Sequence, residues 1–397
     1  MTRASWFLRV GLCAALLAAT PWRRVSAGEE FPTPTEAERL AFIRRARVFE
    51  PTDVAKKDLY AGPPGRLPFQ VEDDVTCTFV PKQMTGWSEK FSCRLEDGTI
   101  VKVKYTGTSA YKEVFGEVLG TRLFWALGFY ADRMIPVRVT CQGCPAHPWE
   151  YVNYKKRLPI DDKRMIESLP RDAMVGTYRF DPAAIEEGVA GMTIEQEDRQ
   201  GWDWKELDEI DAADGGATRA EIDALKLLNA FVQNADNKAA QNTLLCPQDA
   251  IVSGPGGPVD CRRPILLVDD LGSVFGEGGF TTGGEGRIDY EGWKSRRVWR
   301  DEKTCRARLA AIGGGMRKTT LKDPVIGEGG RALLAEQLAK LSDEQIAALF
   351  RVARIERLEL TLRDGAQGER LVMIDDWVML FKEKRREITD RPPCPNP

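Results

Sequence analysis

The chain has 397 residues, 43% hydrophobic and 29% charged, with a formal net charge of -3. This is the composition of a globular protein long enough for two or three domains or one large two-lobed one, and it lacks the basic excess of a nucleic-acid binder. A single histidine, His147, excludes multi-histidine zinc sites, and as a proline-flanked loop residue it is given no role, so any catalysis rests on carboxylates, lysines and amides.

Residues 1–27 read as a secretory signal peptide. Arg3 and Arg9 precede the apolar run VGLCAALLAA, and Val25-Ser26-Ala27 supplies the small-residue cleavage pattern. The run is too short to span a bilayer easily. The expected product is secreted or periplasmic, with no transmembrane segment after cleavage. Cys13 and four arginines leave with the peptide, taking the basic count from 57 to 53 against 60 acidic residues.

Residues 28–70 form a polar N-terminal extension with one short amphipathic helix, Glu36 to Val48, ending at the boundary Gly62-Pro63-Pro64-Gly65. Three strands follow: Val75–Val80, Lys90–Leu95 after a loop containing Gly86, and Thr99–Tyr105 after the tight turn Glu96-Asp97-Gly98. Val114, Val118, Leu119, Leu123 and Leu127 recur at helical spacing, and Gly128 stops that helix. MIPVRVT and WEYVNYKK read as two further strands, closing a unit over 71–157.

The second unit spans 158–397. Residues 158–217 are mixed and acidic with few clear elements, and Asp208 to Gly216 lacks the ligand spacing of an EF-hand, so it reads as a solvated loop. Thr218-Arg-Ala-Glu221 is a capping box that opens the helix EIDALKLLNAFVQN. The loop QNADNKAAQN, the strand TLLC and the segment PILLVDDLGSVFG come next. GGRALLAEQLAKL, a capping box at Ser342, IAALFRVARIERL and DDWVMLFKEKRREI make the last third helical.

Eight cysteines remain after cleavage, an even number that predicts disulfides in an exported protein. Cys77 and Cys93 lie on successive strands, and Cys246 and Cys261 flank a Gly/Pro loop. Cys141-Gln-Gly-Cys144 has no second pair for zinc and no histidine for haem, so it reads as a disulfide. Cys305 with Cys394 is the remainder.

Lys102 and Lys104 share one face of a strand, with Val101 and Val103 on the other. Glu113 and Glu117 lie one turn apart on the next helix and can face the same partner. Asp236 with Gln241 and Asn242 occupies a loop between core elements, and Asp270-Leu271-Gly272 ends an apolar strand. Phosphoryl transfer needs such parts: a lysine for the phosphates, an acid for the acceptor hydroxyl, and an amide and a second acid for metal. No histidine is required.

In this order the motifs resemble the atypical branches of the protein-kinase-like superfamily: HipA-type toxin kinases, phosphatidylinositol kinases, spore-coat kinases and animal secretory-pathway kinases. The stretches VKVKY, RLFWALGF and CQGCP also resemble those of exported bacterial proteins. The kinase resemblance covers residues 75–160 and 218–285. It implies an α+β, two-lobed protein-kinase-like fold, with a small antiparallel-sheet N-lobe carrying one helix and a mainly helical C-lobe. It also implies ATP, Mg²⁺ or Mn²⁺, and a protein, lipid or sugar hydroxyl as acceptor. Lys104 would hold the phosphates, with Lys102 the substitute. Glu117 would be its partner, with Glu113 the competitor. Asp236 would be the catalytic acid/base and Asp270 the principal metal ligand. The family places an amide five residues after the acid; here that residue is Gln241 and Asn242 follows, so both stand as metal ligands. The segment PKQMTGWSE, where a Gly-rich phosphate loop belongs, has one glycine, and GEGGFTTGGEG stands where an activation segment would. The alternative is a catalytically inactive, disulfide-stabilised kinase-like binding protein.

Overall fold

The computed structural model describes residues 31–395 apart from 87, 108–111, 154–174, 198, 253–258, 278–287, 310–319 and 364–367. The expected signal peptide and most of the Gly-rich segment GEGGFTTGGEG lie outside the described residues. The fold is mixed α+β. No helix among the described residues is long and apolar enough to cross a membrane.

Helix α1 (Glu36–Arg44) opens with a capping box at Thr35 and stops short of the expected Val48. Beyond it the chain extends, and Arg47 exchanges backbone hydrogen bonds with Pro264 and Leu266. Phe31, Phe42, Ile43, Val48 and Phe49 are buried in the main core. The N-terminal extension is therefore part of the folded body.

Strands β1 (Asp74–Val80), β2 (Lys90–Arg94) and β3 (Ile100–Tyr105) follow in sequence. Helix α2 (Glu113–Ala126) and strand β4 (Arg133–Pro145) come next. WEYVNYKK was expected to be a strand. Instead Pro148–Val152 is a short helix, α3, with Pro148 in its first turn, where a missing N–H costs nothing. Trp149 and Val152, three apart, both bury against the barrel core; residues 154–156 of that stretch lie outside the described residues. The fifth strand, β5 (Val175–Glu187), comes from a segment expected to hold few elements. It pairs with both β3 and β4, which extends this unit beyond 157.

The five strands close into a barrel in the order β1-β2-β3-β5-β4. Four pairs are antiparallel, but β1 and β4 run parallel, with Cys77 opposite Cys141. The expected all-antiparallel sheet is corrected at this seam. Its interior holds Val75, Phe91, Val101, Val103, Val137, Phe180 and Ile185. Alternation carries this: Val101 and Val103 point inward, so Lys102 and Lys104 point out.

The second body begins with β6 (Gly191–Thr193) and helix α4 (Arg219–Val232), capped by the Thr218 box. Strands β7 (Asn242–Pro247) and β8 (Ile265–Val268) join β6 in an antiparallel sheet of order β8-β7-β6. Helices α5 (Glu328–Ala339), α6 (Asp343–Val352) and α7 (Ile374–Thr389) complete it, α6 opening at the Ser342 capping box. Phe231, Phe275, Trp293, Phe350, Trp377 and Phe381 interlock at ring distances of 4.8 to 6.4 Å. Helix α2 is buried nearly all round between the barrel and this helical body, its polar Glu117, Thr121 and Arg122 included.

Disulfides join Cys77 to Cys93, Cys141 to Cys144, Cys246 to Cys261 and Cys305 to Cys394, the four pairs expected from the sequence.

Candidate functional site

Lys104, on the outward face of β3, meets the inner face of α2 and is only 6% exposed. It pairs with Glu117, and its Nζ lies 3.4 Å from Glu186 Oε2. Burial works against its charge, but Glu117, Glu186 and Asp270 outweigh that and hold its pKa well above the ordinary value. Lys102, two residues earlier, pairs with Glu186, which stands directly across the β3–β5 ladder. Burial pushes the Glu186 carboxyl up, yet Lys104 and Lys102 bring it down to about 2.

Of the two candidate glutamates, Glu117 is the one that reaches Lys104. Glu113, a turn nearer the N-terminus, hydrogen-bonds with Ser88. Burial and the nearby Asp270 raise its pKa to about 7, with Lys104 opposing.

Asp270 is brought to this face by glycines. A Cβ on Gly116 of α2 would fall 2.3 Å from the Gly272 carbonyl oxygen, and one on Gly120 would fall 2.6 Å from Leu271 Cβ. The Asp270-Leu271-Gly272 turn can lie against the helix only because those side chains are missing. The turn is internally held, with Gly272 N–H donating to Asp270 Oδ1 at 3.3 Å.

The loop after α4 meets the same turn through one residue. Gln241 Nε2 donates to Asp236 Oδ2 at 2.7 Å and to Asp270 Oδ2 at 2.9 Å. The Gln241 carbonyl accepts from the backbone N–H groups of Asp269 and Asp270 at 3.1 and 3.3 Å. Lys238 Nζ lies 3.1 Å from Asp236 Oδ1. Asn242, the other candidate amide, turns away and donates to the Trp202 carbonyl at 2.9 Å. Most other amides of the loop hold its shape: Asn234 donates to Asn229, and Asn237 bonds Asn234 and both backbone groups of Leu321.

Lys104, Glu117, Glu113 and Asp270 therefore share one cluster, joined through Gln241 to Asp236, with Lys102 at its edge and Asn242 outside it. Five further residues complete the surroundings without having been singled out in the sequence. Lys90 on β2 is the cross-strand neighbour of Lys104, and Glu186 is described above. Burial, then repulsion from Asp132, raises the Asp269 carboxyl well above its ordinary value, and burial, then repulsion from Glu186, raises Asp132 to about 6. Thr243 donates its hydroxyl to Asp269.

The sulfur atoms of Cys77, Cys93 and Cys141 also lie close together, but all three are in disulfides and offer no thiolate to a metal. Two surface grooves, about 670 Å³ between α6 and α7 and about 580 Å³ beside β1, contain none of the cluster residues. Chemically the cluster combines a fixed ammonium, two carboxylates on one amide, and hard oxygen donors at the junction of barrel and helical body.

Comparison of the chain with models of protein families, with curated proteins and with solved structures finds no significant match.

Proposed function

We propose that the protein is an exported phosphotransferase of the protein-kinase-like type, moving a nucleotide phosphoryl group onto a protein, lipid or sugar hydroxyl. One observation carries this reading: the strand lysine Lys104 is paired to the helix glutamate Glu117 beside Asp270, while Gln241 ties Asp270 to Asp236. In this reading the barrel with α2 is the N-lobe and the helical body the C-lobe.

Lys104 stays charged and holds the donor phosphates, and Glu117 fixes its position. Asp236 orients the acceptor hydroxyl and takes its proton. Gln241 already touches Asp270, so once that amide turns its oxygen inward the two would offer a divalent cation hard oxygen donors, which suit Mg²⁺ or Mn²⁺. Such an ion, held by Asp270 and Gln241, would neutralise charge on the phosphates. The sequence pattern of a signal peptide and the four disulfides support a secreted or periplasmic setting.

A second reading, an inactive kinase-like binding protein, is favoured by the commitment of Asn242 to Trp202 and by the single glycine between β1 and β2. Calorimetric titration of the mature, oxidised protein with ATP and Mg²⁺ or Mn²⁺ separates the possibilities. We expect metal-dependent binding that Asp270→Asn abolishes, and turnover that Asp236→Ala reduces by roughly a hundredfold or more. A folded wild type that binds no nucleotide with either metal refutes the phosphotransferase. Binding without transfer to any acceptor class leaves the binding protein.

A further inference from the structure

The cluster holds three lysines, and two of them are matched. Lys102 pairs with Glu186, and Lys104 pairs with Glu117 and lies near Glu186. Lys90 makes no ion pair among the described residues; its Nζ donates to Ser88 Oγ at 3.3 Å and lies 5.6 Å from the Trp149 ring centre.

The position of Lys90 is costly in two ways. It stands directly opposite Lys104 in the β2–β3 ladder, and like charges so placed repel. It is also largely enclosed, so burial, followed by the Lys104 charge, lowers its pKa, with Asp270 and Glu113 opposing. The loop backbone at Gly86 passes close over the ammonium. Gly86 has φ +103°, and a Cβ there would fall 2.9 Å from Lys90 Nζ. Glycine is thus required both by the turn and by the closeness of the loop to the ammonium, where any side chain would cover Lys90 Nζ. The loop end is fixed beside it: Glu89 accepts from Gly107 N–H at 2.6 Å, and Ser88 hydrogen-bonds with Glu113 at the start of α2.

We propose that Lys90 is a second phosphate-binding residue, forming with Lys104 a two-ammonium clamp for two adjacent phosphoryl groups of the donor. The inference rests on the phosphotransferase reading and narrows its donor to a nucleoside di- or triphosphate. A strand lysine here serves the purpose that a glycine-rich loop's backbone N–H groups serve elsewhere. An incoming polyphosphate supplies a direct ion-pair partner for Lys90 and relieves its repulsion with Lys104.

Calorimetry with Mg²⁺ and ATP, AMP or inorganic tripolyphosphate tests the clamp on wild type, Lys90→Met and Lys90→Arg. We expect Lys90→Met to weaken ATP and tripolyphosphate by roughly ten- to a hundredfold, the effect of one or two charge-assisted hydrogen bonds, with AMP unchanged. Lys90→Arg should keep most of the affinity, and it carries the test if the methionine variant does not fold. Equal weakening of ATP and AMP, or no weakening of either, overturns the role of Lys90 while the phosphotransferase stands. If wild type binds tripolyphosphate through Lys90 but no nucleotide, the clamp survives and the nucleotide donor fails. If it binds neither, both fail.

Discussion

Lys384, on α7, is 2% exposed, with its ammonium 5.9 Å from the Trp293 ring centre and 3.7 Å from Glu387. Burial lowers its pKa to about 8 despite Glu387. Between that value and the ordinary lysine range the unfolded chain binds a proton that the folded chain does not, so stability rises with pH across this window. Below pH 8 the penalty is present in full, on the order of 3 kcal/mol. Glu387 keeps Arg297 and the Val298 N–H as partners, so Lys384→Met leaves no orphaned carboxylate. We expect the variant to gain about 1–3 kcal/mol in urea unfolding at pH 7, with the gain shrinking toward pH 10. A gain independent of pH would show that packing, not charge, is the cause. At this scale the candidate site was partly legible. Lys104, Glu117, Asp236 and Asp270 stand in a chemically meaningful order, whereas Lys90 and Glu186 do not announce themselves. Lys90 could have been found by counting back through the Glu96-Asp97-Gly98 hairpin, whose register sets it against Lys104. Glu186 could not, because its strand was not recognised.

Helix α2 contains Gly116 and Gly120, which intrinsic propensity disfavours in a helix interior by about 0.5–1 kcal/mol each. Their use is the close approach of the Asp270 turn, so the propensity argument has the wrong sign here. Gly116→Ala is expected to destabilise by about 1–3 kcal/mol in urea unfolding, because its Cβ would collide with backbone. If the protein is the proposed phosphotransferase, the same variant should also weaken metal-dependent nucleotide binding by displacing Asp270 from Glu117. An alanine variant more stable than wild type would show that the turn does not need this contact. Elements with strict periodicity or capping boxes were readable from sequence: β1 to β3, α2, and the helices opened by Thr218 and Ser342. Strand β5 was hidden because it carries Pro182 and changes from an exposed first half to a buried second half. Helix α3 was misread because Trp, Tyr and Val are strand formers by propensity, and tertiary burial of Trp149 and Val152 overrides that preference.

Over the whole molecule, the Cys305–Cys394 disulfide joins residues 89 apart and ties the end of the chain back to the helical body. Cys394 N–H also donates to Glu328 at the start of α5. Closing a loop of that length is worth about 4–5 kcal/mol by the chain-entropy argument. The Cys305→Ser/Cys394→Ser double variant should therefore unfold at a clearly lower urea concentration, with the Lys104 cluster still formed at low denaturant. An unchanged midpoint would mean that the tail is held by packing alone. The parallel β1–β4 seam has a different consequence. By closing the barrel it removes both free edges of that sheet, so every strand already has a neighbour on each side. An extended peptide arriving at this wall finds its own N–H and C=O groups unanswered, and a second copy of the chain cannot stack there strand on strand. Whatever the barrel recognises, it must recognise through side chains and loops.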